Sequence, residues 1–208
     1  SIETSMIFFT ISLTLCLIPC AEMIIIISQS TLQGRMAGIA VTLGICTGLL
    51  AQVIAMAAGI TVIIQTSATL FTALKIAGAL YLFFLAWQTF TQPFDLSDES
   101  VQRKTNAALY GQGLAMNIFS PMTPLFLLVL LPPFIVYEQG AVFSQLLQLG
   151  GLLILAVMTV FFGISFMAAT MGRKFLQSSK VRRYLQLGSG STIAGFAVYL
   201  AMAKPLLP

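Results

Sequence analysis

A single carboxylate stands inside an otherwise apolar run. Residues 15–27 read LCLIPCAEMIIII, with Glu22 one turn after Pro19. An acid deep in a bilayer costs about 3 kcal/mol on insertion scales, so it is a functional candidate that faces the protein interior. Two roles fit its chemistry: holding a substrate ammonium group, or carrying a proton by titrating. Both together give exchange, with proton and cation competing for one carboxylate. The plainer role is structural, with Glu22 paired to Lys75 or held by Asn117 or Gln52.

Proline explains why such a segment opens. It lacks an N–H and clashes with the carbonyl one turn back, so the helix kinks or unwinds at Pro19. The freed backbone groups are tolerated only against protein or a wet cavity. A second break is predicted in NIFSPMTP, residues 117–124, which holds two prolines. There Ser120 is expected to cap the following half-helix, with Pro121 at its first position. The N-terminus of each half-helix presents free N–H groups and partial positive charge, which attracts an anion such as a substrate carboxylate.

Other polar residues in apolar surroundings are weaker candidates. Asn117 and Gln112 precede the second break and can bond substrate or bridge helices. Gly34, Gly38, Gly44, Gly48, Gln52, Ala55 and Gly59 share about 120° of helical arc, a packing stripe on which Gln52 can reach a cavity. Lys75 either takes part in the site or snorkels to the interface. Cys16 and Cys20 lie one turn apart and with Glu22 can bind a soft metal, although buried cysteine is far more often a small apolar residue. The chain has no histidine, which removes the commonest metal ligand and general base.

These residues must be positioned by membrane helices. The chain has 208 residues, 58% hydrophobic and 8% charged, against about 25% charged in soluble domains. The net charge is +4 with no basic stripe, so nucleic acid is excluded as a partner. The cysteines all lie in apolar segments, and no disulfide or cofactor is implied. The first apolar run lacks a basic n-region and is longer than a signal h-region, so it reads as a true spanning helix.

Six helices are predicted, over about 5–28, 36–64, 68–91, 107–131, 141–170 and 184–203. Arg35, Arg103, Lys104, Arg173, Lys174, Lys180, Arg182 and Arg183 fall in the first, third and fifth loops. The positive-inside rule places those loops in the cytoplasm and both termini outside.

The halves echo one another. Pro19 and Pro121 lie at similar depth in the first and fourth helices. Leu43-Gly44 follows Gln33-Gly34 by ten residues, as Leu149-Gly150 follows Gln139-Gly140. The predicted fold is an all-α integral membrane protein of one transmembrane domain, 1–208. It comprises two inverted three-helix repeats, 1–91 and 107–208, joined by a cytoplasmic linker, 92–106, with proline-broken first and fourth helices. Paired broken helices are the pointer to a midplane site in inverted-repeat transporters.

Three stretches carry a resemblance: IPCAEMIIIISQSTLQGRMAGIAVTLGICTG (18–48), LKIAGALYLFFLAWQTF (74–90) and NIFSPMTPLFLLVLLPPFI (117–135). Through them nearly the whole chain resembles the LysE/RhtB family of bacterial amino-acid exporters. That resemblance implies proton-driven export of a small amino acid or derivative across the inner membrane, by a homodimer embedded in lipid. It implies no enzymatic activity. The substrate-binding residues expected are Glu22, Pro19, Cys20, Asn117, Ser120, Pro121 and Gln52, with Glu22 also coupling protons and Lys75 and Gln112 as further candidates.

The chain departs from the family pattern at both breaks. Pro-Gly-Pro followed by an acid or amide is here Pro19-Cys20-Ala21-Glu22, and Asn-Pro-Lys is here Ser120-Pro121-Met122, without the lysine. Two readings stand beside export of an amino acid: efflux of a divalent or soft metal cation, and a membrane thiol-disulfide carrier of the DsbD/CcdA type. The second is hampered because Cys20 has Met122, not a thiol, at its partner position.

Overall fold

A computed structural model describes residues 2–17, 20–66, 68–91, 103–135, 141–171 and 178–202. Among these the protein forms eight α-helices: α1 (Ile2–Cys16), α2 (Ala21–Gln33), α3 (Arg35–Thr66), α4 (Ala68–Thr91), α5 (Asn106–Ile118), α6 (Met122–Leu130), α7 (Val142–Met171) and α8 (Ser179–Met202). A 3-10 turn at Pro132–Phe134 follows α6. Arg35–Gly59 and Val142–Met171 are each long and apolar enough to cross a membrane. The α1–α2 pair, bent by 65°, is so when taken as one span.

All six segments expected from hydropathy are helical, and two are divided. The first gives α1 and α2, the fourth α5 and α6. With 13 and 9 residues, α5 and α6 are each too short to cross alone. α8 begins at Ser179, before the expected 184. Apolarity marks where lipid begins, whereas Lys, Arg and Gln continue a helix readily beyond that depth.

Local chemistry sets the boundaries. Gly34 alone separates α2 from α3, with φ of 92°, a left-handed conformation that only glycine adopts without strain. The Thr105 hydroxyl accepts from the Ala108 N–H at 3.3 Å and caps α5.

The long helices α3 and α7 form the centre. α3 packs on α5, α7 and α2; α7 also contacts α1 and α2, and α4 pairs with α8. Val41, Ile45 and Val53 of α3, Leu146 and Leu153 of α7, Leu109 of α5 and Ile26 of α2 are fully buried. Large apolar side chains, among them Leu50, Leu80, Phe84, Trp87, Leu155 and Tyr199, are exposed on the outer surface.

Small residues permit the α3–α5 crossing. A Cβ on Gly44 would run into the Tyr110 carbonyl, and one on Gly113 into the Val41 carbonyl, so the two backbones touch. Tyr110 Oη donates to Thr47 Oγ1 at 2.9 Å alongside. The expected stripe is shorter than its glycines suggested. Among the described residues, a Cβ on Gly34 or Gly59 would meet nothing within 4 Å, and Ala55 is exposed. Crossing helices approach closely over only a few turns, which here are the turns of Gly38, Gly44 and Gly48.

Candidate functional site

Two helix interruptions meet at one point. α5 ends at Ile118 and α6 begins at Met122. Pro121 has no N–H to give the carbonyl four residues back, which belongs to Asn117. That carbonyl accepts instead from the Ser120 N–H at 3.2 Å and from Gln52 Nε2 at 2.6 Å. On the other side, α1 ends at Cys16 and α2 begins at Ala21, and the Ile24 N–H closes the first turn on the Cys20 carbonyl at 3.2 Å. Glu22 thus sits in the first turn of α2, and Asn117 in the last turn of α5.

These turns are joined. Asn117 Nδ2 donates to Glu22 Oε1 at 2.8 Å. Asn117 is buried, with room made by Gly48: a Cβ there would lie 2.9 Å from Asn117 Oδ1 and 3.0 Å from Asn117 Cβ. Among the described residues, Asn117 Oδ1 and Gln52 Oε1 are buried without a hydrogen-bond partner.

Glu22 and Asn117 line a cavity of about 460 Å³, within the usual range for small-molecule sites. Its apolar wall includes Leu85, Leu153, Val157, Phe161, Ile193 and Phe196. Phe196 stacks edge-on against Phe126 with ring centroids 5.1 Å apart. Polar side chains line it from four more places: Cys16 and Cys20, Ser120 and Thr123, Gln88 and Thr89 of α4, and Ser189 and Thr192 of α8. Among the described residues of the lining, Glu22 is the one carboxylate, and no lysine or arginine appears.

Several expected residues stand elsewhere. Glu22, Cys20, Asn117 and Ser120 line the cavity, but Gln52 lies behind Asn117, outside the lining. Gln112 accepts from Lys104 Nζ at 2.9 Å and does not line it either. Pro121 is exposed and also outside the lining. Ser120 does not cap α6. Pro121 is the capping residue, and its side chain carries no oxygen to accept a bond from the helix start. Pro19 lies outside the described residues, as does the side chain of Lys75.

Cys16 and Cys20 are not one turn apart on a helix, since one ends α1 and the other precedes α2. The cysteines are free. Among the described residues no group of three or more His, Cys, Asp or Glu side chains could hold a metal ion.

Sequence reasoning missed the contribution of α4 and α8. The signal was available: Gln88 is an amide near the end of an apolar helix, and GSGST at 188–192 is a polar run within another. Gln186 Nε2 donates to the Thr89 and Phe90 carbonyls at 2.9 and 3.1 Å, holding these two helices together beside the cavity.

The comparison with protein families settles the class. The LysE type translocator family model matches residues 13–204. The chain belongs to that family. Its members are transporters rather than enzymes, so the thiol-disulfide carrier reading falls. An uncharacterised membrane protein of Bacillus subtilis, YrhP, is 28% identical over 201 residues, covering 92% of this chain and 95% of that protein. An uncharacterised membrane protein of Vibrio cholerae is 28% identical, covering 86% of each. A homoserine/homoserine lactone efflux protein of Salmonella typhimurium is 27% identical, covering 83% of this chain and 82% of that protein. No solved structure matches the chain.

Proposed function

We propose that this LysE-type translocator exports a small amino acid or amino-acid derivative across the inner membrane in exchange for protons. The observation that carries the reading is Glu22, the one carboxylate in the described cavity lining, held at a helix break by Asn117. The efflux relative supports both the direction and the size of the substrate.

In this mechanism the substrate ammonium binds ionised Glu22 from the cytoplasm, with Asn117 fixing the carboxylate. The bundle rocks and opens outward. A proton from outside then neutralises Glu22, the ion pair is lost and the substrate leaves. The proton is released inside on the return. Cation and proton never share the carboxylate, which is the basis of exchange.

The rocking units are two inverted three-helix repeats broken at Pro19 and Pro121. The contacts support this: α3 packs on α7 and α4 on α8, each against its counterpart, while α5 lies on α3 as α1 lies on α7. Charge bias supports cytoplasmic first, third and fifth loops and outward termini. The exposed apolar face of α4 carries Leu80, Phe84 and Trp87. Lipid covers it, or a second copy in a homodimer.

The test is transport by proteoliposomes under an imposed proton gradient, for wild type and Glu22→Gln. Wild type is expected to exchange substrate for protons, and the variant to fold, insert and fail. Gradient-driven export by Glu22→Gln would refute the role of Glu22.

A further inference from the structure

The electrostatics of the cavity are one-sided, and this narrows the substrate. Of the described cations, Arg35, Arg103, Lys104, Lys180 and Arg183, none lines it. Lys75 lies ten residues before Leu85 on α4, about 15 Å along the helix. Among the described residues, a ligand ammonium therefore finds Glu22, but a ligand carboxylate finds no opposite charge.

Helix ends compensate only in part. The N-terminus of α2 already faces a carboxylate, since Glu22 lies in its own first turn, which is where an acid offsets the positive end of the dipole. The N-terminus of α6 is depleted of donors. Pro121 is its cap and Pro124 its third residue, and proline has no N–H. Of the four backbone groups that a helix start leaves free, only those of Met122 and Thr123 remain. Asn117 Oδ1 is buried against Gly48 and its Nδ2 is already given to Glu22, so the Glu22 carboxylate is the acceptor that this joint presents to the cavity. An ammonium brings three donors to such a place. A free carboxylate brings only acceptors, and the described lining offers it neutral donors alone, namely hydroxyls, the Gln88 amide and those two N–H groups, which hold a charge less strongly than a cation does.

We infer that the cavity takes a primary ammonium whose carboxyl group is absent or masked, as in an ester, lactone or amide, and discriminates against free zwitterionic amino acids. This rests on the reading of Glu22 as the ammonium site. Neutral donors and acceptors on Gln88 and Thr192 suit an uncharged carbonyl. Such a ligand also neutralises Glu22, so its exchange for one proton moves no net charge.

The test is calorimetric binding to the purified protein in nanodiscs. The probes are L-threonine with its methyl ester, L-leucine with its methyl ester, and leucinamide, at about pH 6.5, below the usual α-amino range. The expected result is that the esters and the amide bind at least about tenfold tighter than the free acids, a difference of about 1.4 kcal/mol. Glu22→Gln is expected to lose them while keeping its thermal unfolding transition. Free acids bound as tightly as their esters, with both lost in Glu22→Gln, would overturn this inference and leave the ammonium site standing. Ester binding that survives in a folded Glu22→Gln would overturn both, as would no binding of any probe to wild type.

Discussion

Asn117 Nδ2 donates to Glu22 Oε1 at 2.8 Å, a bond between residues 95 positions apart in the chain. It ties the start of α2 to the end of α5, so the two helix breaks share one polar contact. A rocking motion that separates these helices must break or move it. The Glu22 carboxylate is therefore both a cavity-lining group and part of the joint.

Replacing Asn117 by alanine removes that joint. Hydrogen bonds between membrane helices contribute about 1 to 2 kcal/mol, so amine affinity is expected to fall about tenfold, with proton coupling weakened rather than abolished. Binding isotherms beside transport rates check this. Unchanged affinity would mean that Asn117 does not position Glu22.

Gly48 is predicted to be intolerant of a methyl group. A Cβ there lies 2.9 Å from Asn117 Oδ1 and 3.2 Å from its Cγ, so Gly48→Ala must displace the residue that holds Glu22. The expected cost is about 1 to 3 kcal/mol of stability, together with loss of export. Gly111→Ala is the control, since nothing lies within 4 Å of its Cβ. Alanine there is expected to stabilise α5 by up to about 1 kcal/mol, with export intact. Thermal unfolding and transport of the two variants distinguish a local clash from a general effect of helix glycines.

Gln52 braces the break from outside the cavity lining. Its Nε2 bonds the Asn117 carbonyl at 2.6 Å, the acceptor that Pro121 leaves without its usual donor. Gln52→Leu is expected to cost about 1 to 2 kcal/mol of stability and to reduce transport, while the relative affinities for different amines stay the same. A changed substrate preference would instead place Gln52 in contact with the ligand.

Thiol chemistry reads the cavity directly. Cys16 and Cys20 line it, whereas Cys46 is buried and does not. N-ethylmaleimide is expected to label the first two before the third, and a bound amine to slow that labelling. Mass spectrometry of the modified peptides reports each site. Labelling of Cys46 at the same rate would contradict the cavity boundaries.

Much of the scaffold was legible in the sequence alone. Apolar runs and polar punctuation located the helical segments, because hydropathy records the medium around each residue locally. Glu22 stood out for the same reason: a carboxylate among isoleucines needs an explanation wherever it lies. Proline chemistry likewise pointed to the gap beside Asn117, since a missing N–H is a property of one residue. Only the tertiary structure decided which distant residues meet. It paired Glu22 with Asn117, sent Gln52 to the orphaned carbonyl instead of the cavity, moved the cap of α6 from Ser120 to Pro121, and brought Gln88 and Thr192 into the lining. Those outcomes depend on how helices cross and how closely glycines let backbones approach. Hydropathy along the chain does not encode such geometry, because every membrane helix presents much the same apolar pattern whichever neighbour it packs against.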